Sequence, residues 1–318
     1  MPKLDGIDYK ELYGLSVDKE NSELFFNDSK HLYVNKNDGS HYISVTTLIG
    51  EYENKFDEAF WSKYKALELF LDGDVWSNVK IKLGNTKKWD PNLLTLYNIN
   101  EEDFNKEVDK ILAEWASNRN EACEHGTYVH SLYENSFYGN TQFDLGKYGY
   151  PEASGYYDCP RNYYELDLEN AIYPEFLMSW TSPDGELKIA GQSDLICKRG
   201  NDIWILDWKT NKEIKKRSFY DKNKKDVQRM LYPLNDLMDC NYQHYELQLS
   251  TYAWILQQIR PEFNIKGLSI IHIDRNSGRQ TEYPLEYRKE HVEKMIKHYK
   301  HQLMIKKQLD RLEPYKIG

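Results

Sequence analysis

Asp207 and Lys209 stand two residues apart at the end of the apolar run IWILDWK, residues 203–209. In an extended strand side chains i and i+2 point the same way, so carboxylate and ammonium share one face while Trp208 turns to the other. A charge carried into a core is costly unless it is paired or bound to a metal. The pair therefore either neutralises itself or serves a third group. Two further acids, Glu175 and Asp194, fall in strand-like runs upstream, and His130 sits on a helical pattern midway between Gly126 and Glu134, which share its face.

The elements that must hold these residues are legible in the patterning. HLYVNKNDGSHYISVTTLI, near the start, has two strand-like runs about an Asn-Asp-Gly turn, after which Ser44 or Thr46 can cap a helix. Helical spacing runs through 51–72 and 101–138, whereas 139–165 is rich in Gly, Pro and Tyr and reads as an inserted loop whose tyrosines either pack on themselves or stack on bases. The period then changes. AIYPEFLMSW, ELKIAGQSDLICK and NDIWILDWK form three strands joined at SPDGE and KRGND, a β-meander. A helix (YELQLSTYAWILQQI), a strand (GLSIIHI) and a closing helix (287–309) follow. The expected fold is α/β: a mixed central sheet of three to five strands flanked by helices, in one domain with a helical N-terminal insertion. Its parts are an N-terminal β-hairpin at 1–50, a helical wall and loop at 51–165, and the core at 166–318.

Composition narrows the class. With 318 residues and 40% hydrophobic content the chain can bury a substantial core. It has no run of ~20 apolar residues and no basic-then-apolar leader, so a cytoplasmic protein without membrane contact is expected. Four cysteines, Cys123, Cys159, Cys197 and Cys240, stand far apart with no CxxC, against a zinc ribbon or disulfide framework. The net charge of −9 is unevenly spread, for eight Lys/Arg against two acids lie between Lys209 and Lys225. Such a run is either a solvated loop or a phosphate-binding segment.

Four segments, GTYVH at 126–130, GQSD at 191–194, DWKT at 207–210 and QLSTY at 248–252, occur in the order in which this pattern resembles the RecB-like branch of the PD-(D/E)XK nucleases, which has mitochondrial-type and phage recombination exonucleases among its members. SVTTLI at 44–49 resembles the start of the mitochondrial-type members. The resemblance implies a restriction-endonuclease-like core and hydrolysis of DNA with Mg²⁺ or Mn²⁺, hard cations that favour oxygen ligands. It makes Asp194, Asp207, the Trp208 carbonyl and His130 the metal ligands, with Glu175 either a further ligand or a strand-edge residue. Lys209 would orient the attacking water and offset charge on the phosphate. Gln248 and Tyr252 would hold substrate or the lysine, Gly126 would let backbone approach the substrate closely, and Lys215, Lys216 and Arg217 would meet the DNA backbone. The long connection from Asn211 to Glu246 would be a DNA-contacting insertion.

Departures from the branch matter too. No compact C-terminal cysteine group is present, so no iron–sulfur cluster is expected. No GxxxxGK[ST] motif is encoded either, which removes a fused helicase motor. The favoured function is an exonuclease acting in recombination, repair or replication on single-stranded DNA or free ends. A structure-specific or restriction-like endonuclease, or an inactive nucleic-acid-binding protein on the same fold, are the alternatives.

Overall fold

The computed structural model describes residues 19–21, 23–27, 30–138, 142–144, 154–156, 165–221 and 225–312. It divides into two compact units: residues 54–125 with 221–226, and the remainder.

The larger unit is built on a mixed, mostly antiparallel sheet. Strands β1 (Lys19–Glu20), β2 (Leu24–Asn27), β3 (Leu32–Asn35) and β4 (His41–Ser44) form an antiparallel series. The expected hairpin is β3–β4, and Gly39 in its turn takes φ +68°, a left-handed conformation open to glycine at little cost. Ser44 then caps the short helix α1 (Val45–Gly50), its side chain accepting the Thr47 N–H at 3.0 Å.

The smaller unit is helical, with α2 (Glu58–Phe70), α3 (Gly73–Thr86), α4 (Asn92–Leu96) and the first two-thirds of α5 (Glu101–Tyr138). The helix read at 51–72 begins only at Glu58, because Asp57 takes the capping position and accepts the Phe60 N–H at 2.9 Å. The unit has its own core of Phe60, Leu67, Trp76, Val79, Leu83, Phe104 and Val108. Of the aromatic residues here, Trp76 is buried and Trp89 stacks on Phe104, while Phe56 is exposed against Trp61 and Trp115. The loop read at 139–165 lies largely outside the described residues. Within it, β5 (Gln142–Asp144) pairs antiparallel with β6 (Ser154–Tyr156).

The three-strand meander is present as β7 (Asn170–Thr181), β8 (Lys188–Arg199) and β9 (Asp202–Lys209). After two short strands, β10 (Tyr220–Asp221) and β11 (Asp226–Val227), helix α6 (Asn241–Ile259) crosses over, and β12 (Asn264–Ile273) returns parallel to β9. Strand β13 (Gln280–Leu285) pairs antiparallel with β12, and α7 (Lys289–Leu312) follows. Among the described residues nine strands join one sheet, more than the three to five expected, because β4 runs parallel beside β8 at Ile189 and Ala190 and adds the N-terminal series.

Helices cover both faces of the meander. Ile196, Ile205 and Ile270 share a core with Leu249, Ala253 and Ile255 of α6, which is buried on nearly every side and is supported by Val292, Met295 and Ile296 of α7. Leu195, Leu206, Trp208 and Ile271 form a second cluster with Val129 and Phe137 of α5. No helix among the described residues is long and apolar enough to cross a membrane.

Candidate active site

The strand register brings three acids into line. Glu175 and Asp194 fall in the unpaired step between Pro174↔Leu195 and Phe176↔Ser193, and Asp194 and Asp207 lie just past the last β8–β9 pair, Leu195↔Leu206. Contacts rather than regular pairing join them into one row: His130 reaches both Glu175 and Asp194, and the Asp194 carboxylate acts on that of Asp207. Like charges so placed repel, and more strongly where water is excluded. Asp207 is 1% exposed and Asp194 6%, so the row needs cations to be stable.

Two side chains supply them. His130 reaches the row from α5, its Nδ1 lying 3.3 Å from Asp194 Oδ1 and 3.5 Å from Glu175 Oε1. Lys209 folds back to pair with Asp207 Oδ2. Trp208, as its register predicts, points away and stacks on Tyr133 at 5.0 Å between ring centroids.

The backbone at this point departs from a regular ladder. The Trp208 N–H donates to Asp194 Oδ2 at 2.7 Å, so a carboxylate accepts from the strand end just past the last paired residues. Glu175 takes φ +51°, a left-handed conformation that costs a non-glycine residue about 1–3 kcal/mol and is tolerated where the surroundings over-determine it. Its second carboxylate oxygen accepts from Gln192 Nε2.

The charges respond to this crowding. Burial opposes a charged imidazole at His130, but the Asp194 and Glu175 carboxylates more than offset it and hold its pKa well above the ordinary range. Burial likewise opposes the Asp194 carboxylate, and His130, Lys209 and the Trp208 amide outweigh it, leaving its pKa lowered. Asp207 is pushed up to about 6 by burial and by Asp194, with Lys209 compensating only in part. Burial works against the Lys209 ammonium, yet Asp207 and Asp194 raise its pKa, so it stays a cation.

His130, Glu175 and Asp194 can each offer a ligand atom within 4.8 Å of the others, a spacing suited to one metal ion. Asp207, the ligand expected beside Asp194, lies outside this group and faces Lys209. Its buried Oδ2 is taken up by the Lys209 ammonium. The mixed imidazole–carboxylate set fits a divalent cation.

Helix α6 closes the site. Gln248 Nε2 donates to Tyr252 OH at 3.0 Å, and both are buried. Tyr245, one turn earlier, presents its ring to Lys209 Nζ at 4.8 Å from the centroid and donates its OH to Asn211 Oδ1 at 2.8 Å. His272 of β12, opposite Lys209 in the parallel register, donates through Nε2 to the Asn211 carbonyl at 2.7 Å. Tyr245, Asn211, His272 and Gln192 were not singled out in the sequence. Tyr245 precedes Gln248 by three residues on the same helix face, a spacing that could have indicated it.

A Cβ at Gly126 would meet Thr210 Oγ1 at an ordinary 3.7 Å, so the protein's own packing does not demand glycine there. Lys215 and Lys216 also have neighbours, Lys215 pairing with Glu213 at 3.1 Å and Lys216 lying over the Tyr242 and Tyr283 rings at 5.1 and 5.3 Å. Arg217 is exposed. Lys222 and Lys224 of the basic run lie outside the described residues.

No family model matches this chain, and no curated protein does. Among solved structures, one described as "Crystal structure of SSO0001" is similar at 17% identity with a TM-score of 0.24, covering 40% of this chain and 47% of its own, a likeness too slight to carry an argument.

Proposed function

We propose that the protein is a metal-dependent deoxyribonuclease with a restriction-endonuclease-like core, hydrolysing phosphodiester bonds of single-stranded DNA from free ends. The observation that carries the reading is the buried row Glu175–Asp194–Asp207, answered by His130 at one end and Lys209 at the other. A salt bridge alone needs one acid and one base. Three aligned acids make sense where a divalent cation joins them.

His130, Glu175 and Asp194 would hold the metal, with Asp207 beside Asp194 keeping Lys209 in place. When bound, the ion supplies Lewis-acid polarisation of the phosphoryl group and a more acidic water. Lys209, kept cationic by its two acids, offsets charge that grows on the phosphate oxygens and orients a water by hydrogen bonding. Tyr252 and Gln248 buttress the row from α6. The resemblance to standalone exonucleases, with a separate helical unit at 54–125, supports end-dependent trimming.

The test incubates the protein with Mg²⁺ or Mn²⁺ and with linear, end-blocked and closed circular DNA, single and double stranded. Linear single strands should be trimmed, circles should resist, and EDTA should stop the reaction. Circular single strands cut as fast as linear ones would move the reading to an endonuclease. No cleavage of any substrate with either metal would leave a nucleic-acid-binding protein.

A further inference from the structure

Residues 213–219, the first part of the basic run after β9, are pinned by hydrogen bonds. The Lys215 N–H donates to Asn241 Oδ1 at 2.7 Å, Asn241 Nδ2 donates to the Glu213 carbonyl at 3.0 Å, and the Tyr242 N–H donates to the Lys215 carbonyl at 3.3 Å. Ser218 Oγ donates to the Gln228 carbonyl at 2.6 Å, and the Gln228 N–H donates back to the Phe219 carbonyl at 2.7 Å. A segment held this way keeps its side chains in place before any ligand arrives, which lowers the entropy cost of binding.

Between this segment and the start of α6 lies a groove of about 470 Å³, with Asn211, Lys212, Arg217, Phe219, Asp239 and His244 in its wall. The cations of the segment are not equivalent. Lys215 is paired with Glu213 and Lys216 is occupied by two tyrosine rings, whereas among the described residues Lys212 and Arg217 have no acidic partner. Two acids share the wall: Glu213, exposed but offset by its pairing with Lys215, and Asp239, whose side chain is 6% exposed and accepts from His244 at 2.8 Å and Gln228 at 3.1 Å, so that its charge is turned inward. The charge left facing the groove is positive. Phe219 beside it is 66% exposed.

We propose that this groove holds a single-stranded polynucleotide, with Lys212 and Arg217 on its phosphates and Phe219 stacked on a base. The proposal rests on the nuclease reading, because the near end of the groove is Asn211, which Tyr245 ties to the Lys209 ammonium. Positive charge alone would suit any polyanion. The exposed ring selects a strand whose bases are free, since duplex bases are already stacked on one another. Of the four cations from Lys212 to Arg217, two thus meet phosphate and two are engaged within the fold.

The experiment measures fluorescence anisotropy of a labelled oligothymidylate in EDTA, where cleavage cannot interfere, with the full-length protein across a salt series. Lys212→Ala and Arg217→Ala should each weaken binding several-fold and lower the log–log salt slope by about one unit. Lys215→Ala and Lys216→Ala should change it by less than about twofold, as expected of charges engaged elsewhere. Phe219→Ala should weaken single-strand binding about tenfold or more while leaving a duplex unaffected, and Phe219→Trp should restore it. Equal losses at all four cations, or no loss at Lys212, Arg217 and Phe219, would overturn the proposal. So would a labelled polyglutamate that binds more tightly and is lost in the same variants, which would assign the groove to an acidic protein segment. A wild type that binds in this pattern but cleaves nothing removes the nuclease reading and leaves the groove. Cleavage with oligonucleotide binding unchanged in the variants does the reverse.

Discussion

The Tyr252 ring lies across the backbone of Gly191, so close that a Cβ at that position would meet the ring Cε1 at 2.5 Å and Val45 Cγ2 at 3.2 Å. Glycine is required in GQSD for this reason: it admits the tyrosine of QLSTY and the valine of SVTTLI to one point on β8. Gly191→Ala should destabilise the fold by about 1–3 kcal/mol, the usual cost of overpacking. In a double-mutant cycle with Tyr252→Ala the two losses should be clearly less than additive in denaturant unfolding, because the second change removes the clash. Additive losses would mean that the ring is not what the glycine accommodates.

Asp207→Ala and Lys209→Ala should each abolish cleavage while leaving the fold intact, and turnover within about tenfold of wild type would remove either from the machinery. Asp207 carries a second consequence. Its folded pKa of about 6 stands above the ordinary 3.8, so the fold favours its protonated form. Its effect on stability is most favourable below about pH 4 and is lost as pH rises through about 6. Asp207→Asn should therefore be more stable than wild type at pH 8 without metal, by on the order of 1–2 kcal/mol, and gain little at pH 4. Thermal melts in EDTA at the two pH values check the sign.

Metal binding should compete with protons at His130. The ring's raised pKa makes the protonated form dominant at neutral pH in the metal-free protein, and a ligating imidazole must be neutral. Calorimetric affinity for Mn²⁺ should rise with pH and release a proton, whereas His130→Ala should bind more weakly, lose that release and lose activity. Metal affinity independent of pH in the wild type would take His130 out of the ligand set.

Tyr245 should act as a positioning residue for Lys209. Tyr245→Leu removes the ring beneath the ammonium and should lower kcat by tenfold or more with little change in KM or Mn²⁺ affinity. Tyr245→Phe keeps the ring and loses only the bond to Asn211, so it should retain most of the activity. Equal loss in both variants would assign the effect to the Asn211 hydrogen bond instead.

Much of this was legible along the chain, because strand alternation and helical spacing are local properties. The pairing of Asp207 with Lys209 on one face, the turn of Trp208 to the opposite face, the meander, the Asn-Asp-Gly hairpin and the Ser44 cap all follow from residues within a few positions of one another. Alignment between strands is not local. That Glu175, Asp194 and Asp207 stand in one row depends on two registers set by turns and by the apolar pattern of neighbouring strands. The left-handed backbone at Glu175 and the Trp208 amide on Asp194 depend on how those strands end. The division of the basic run into engaged and free cations also required the fold, since Tyr242, Tyr283 and Asn241 reach it only through the crossover helix and the last strand. The sequence alone determined which chemical groups are available and on which side of each element they lie. Only tertiary packing decided which of them meet, because a contact between distant segments follows from register and burial across the whole sheet.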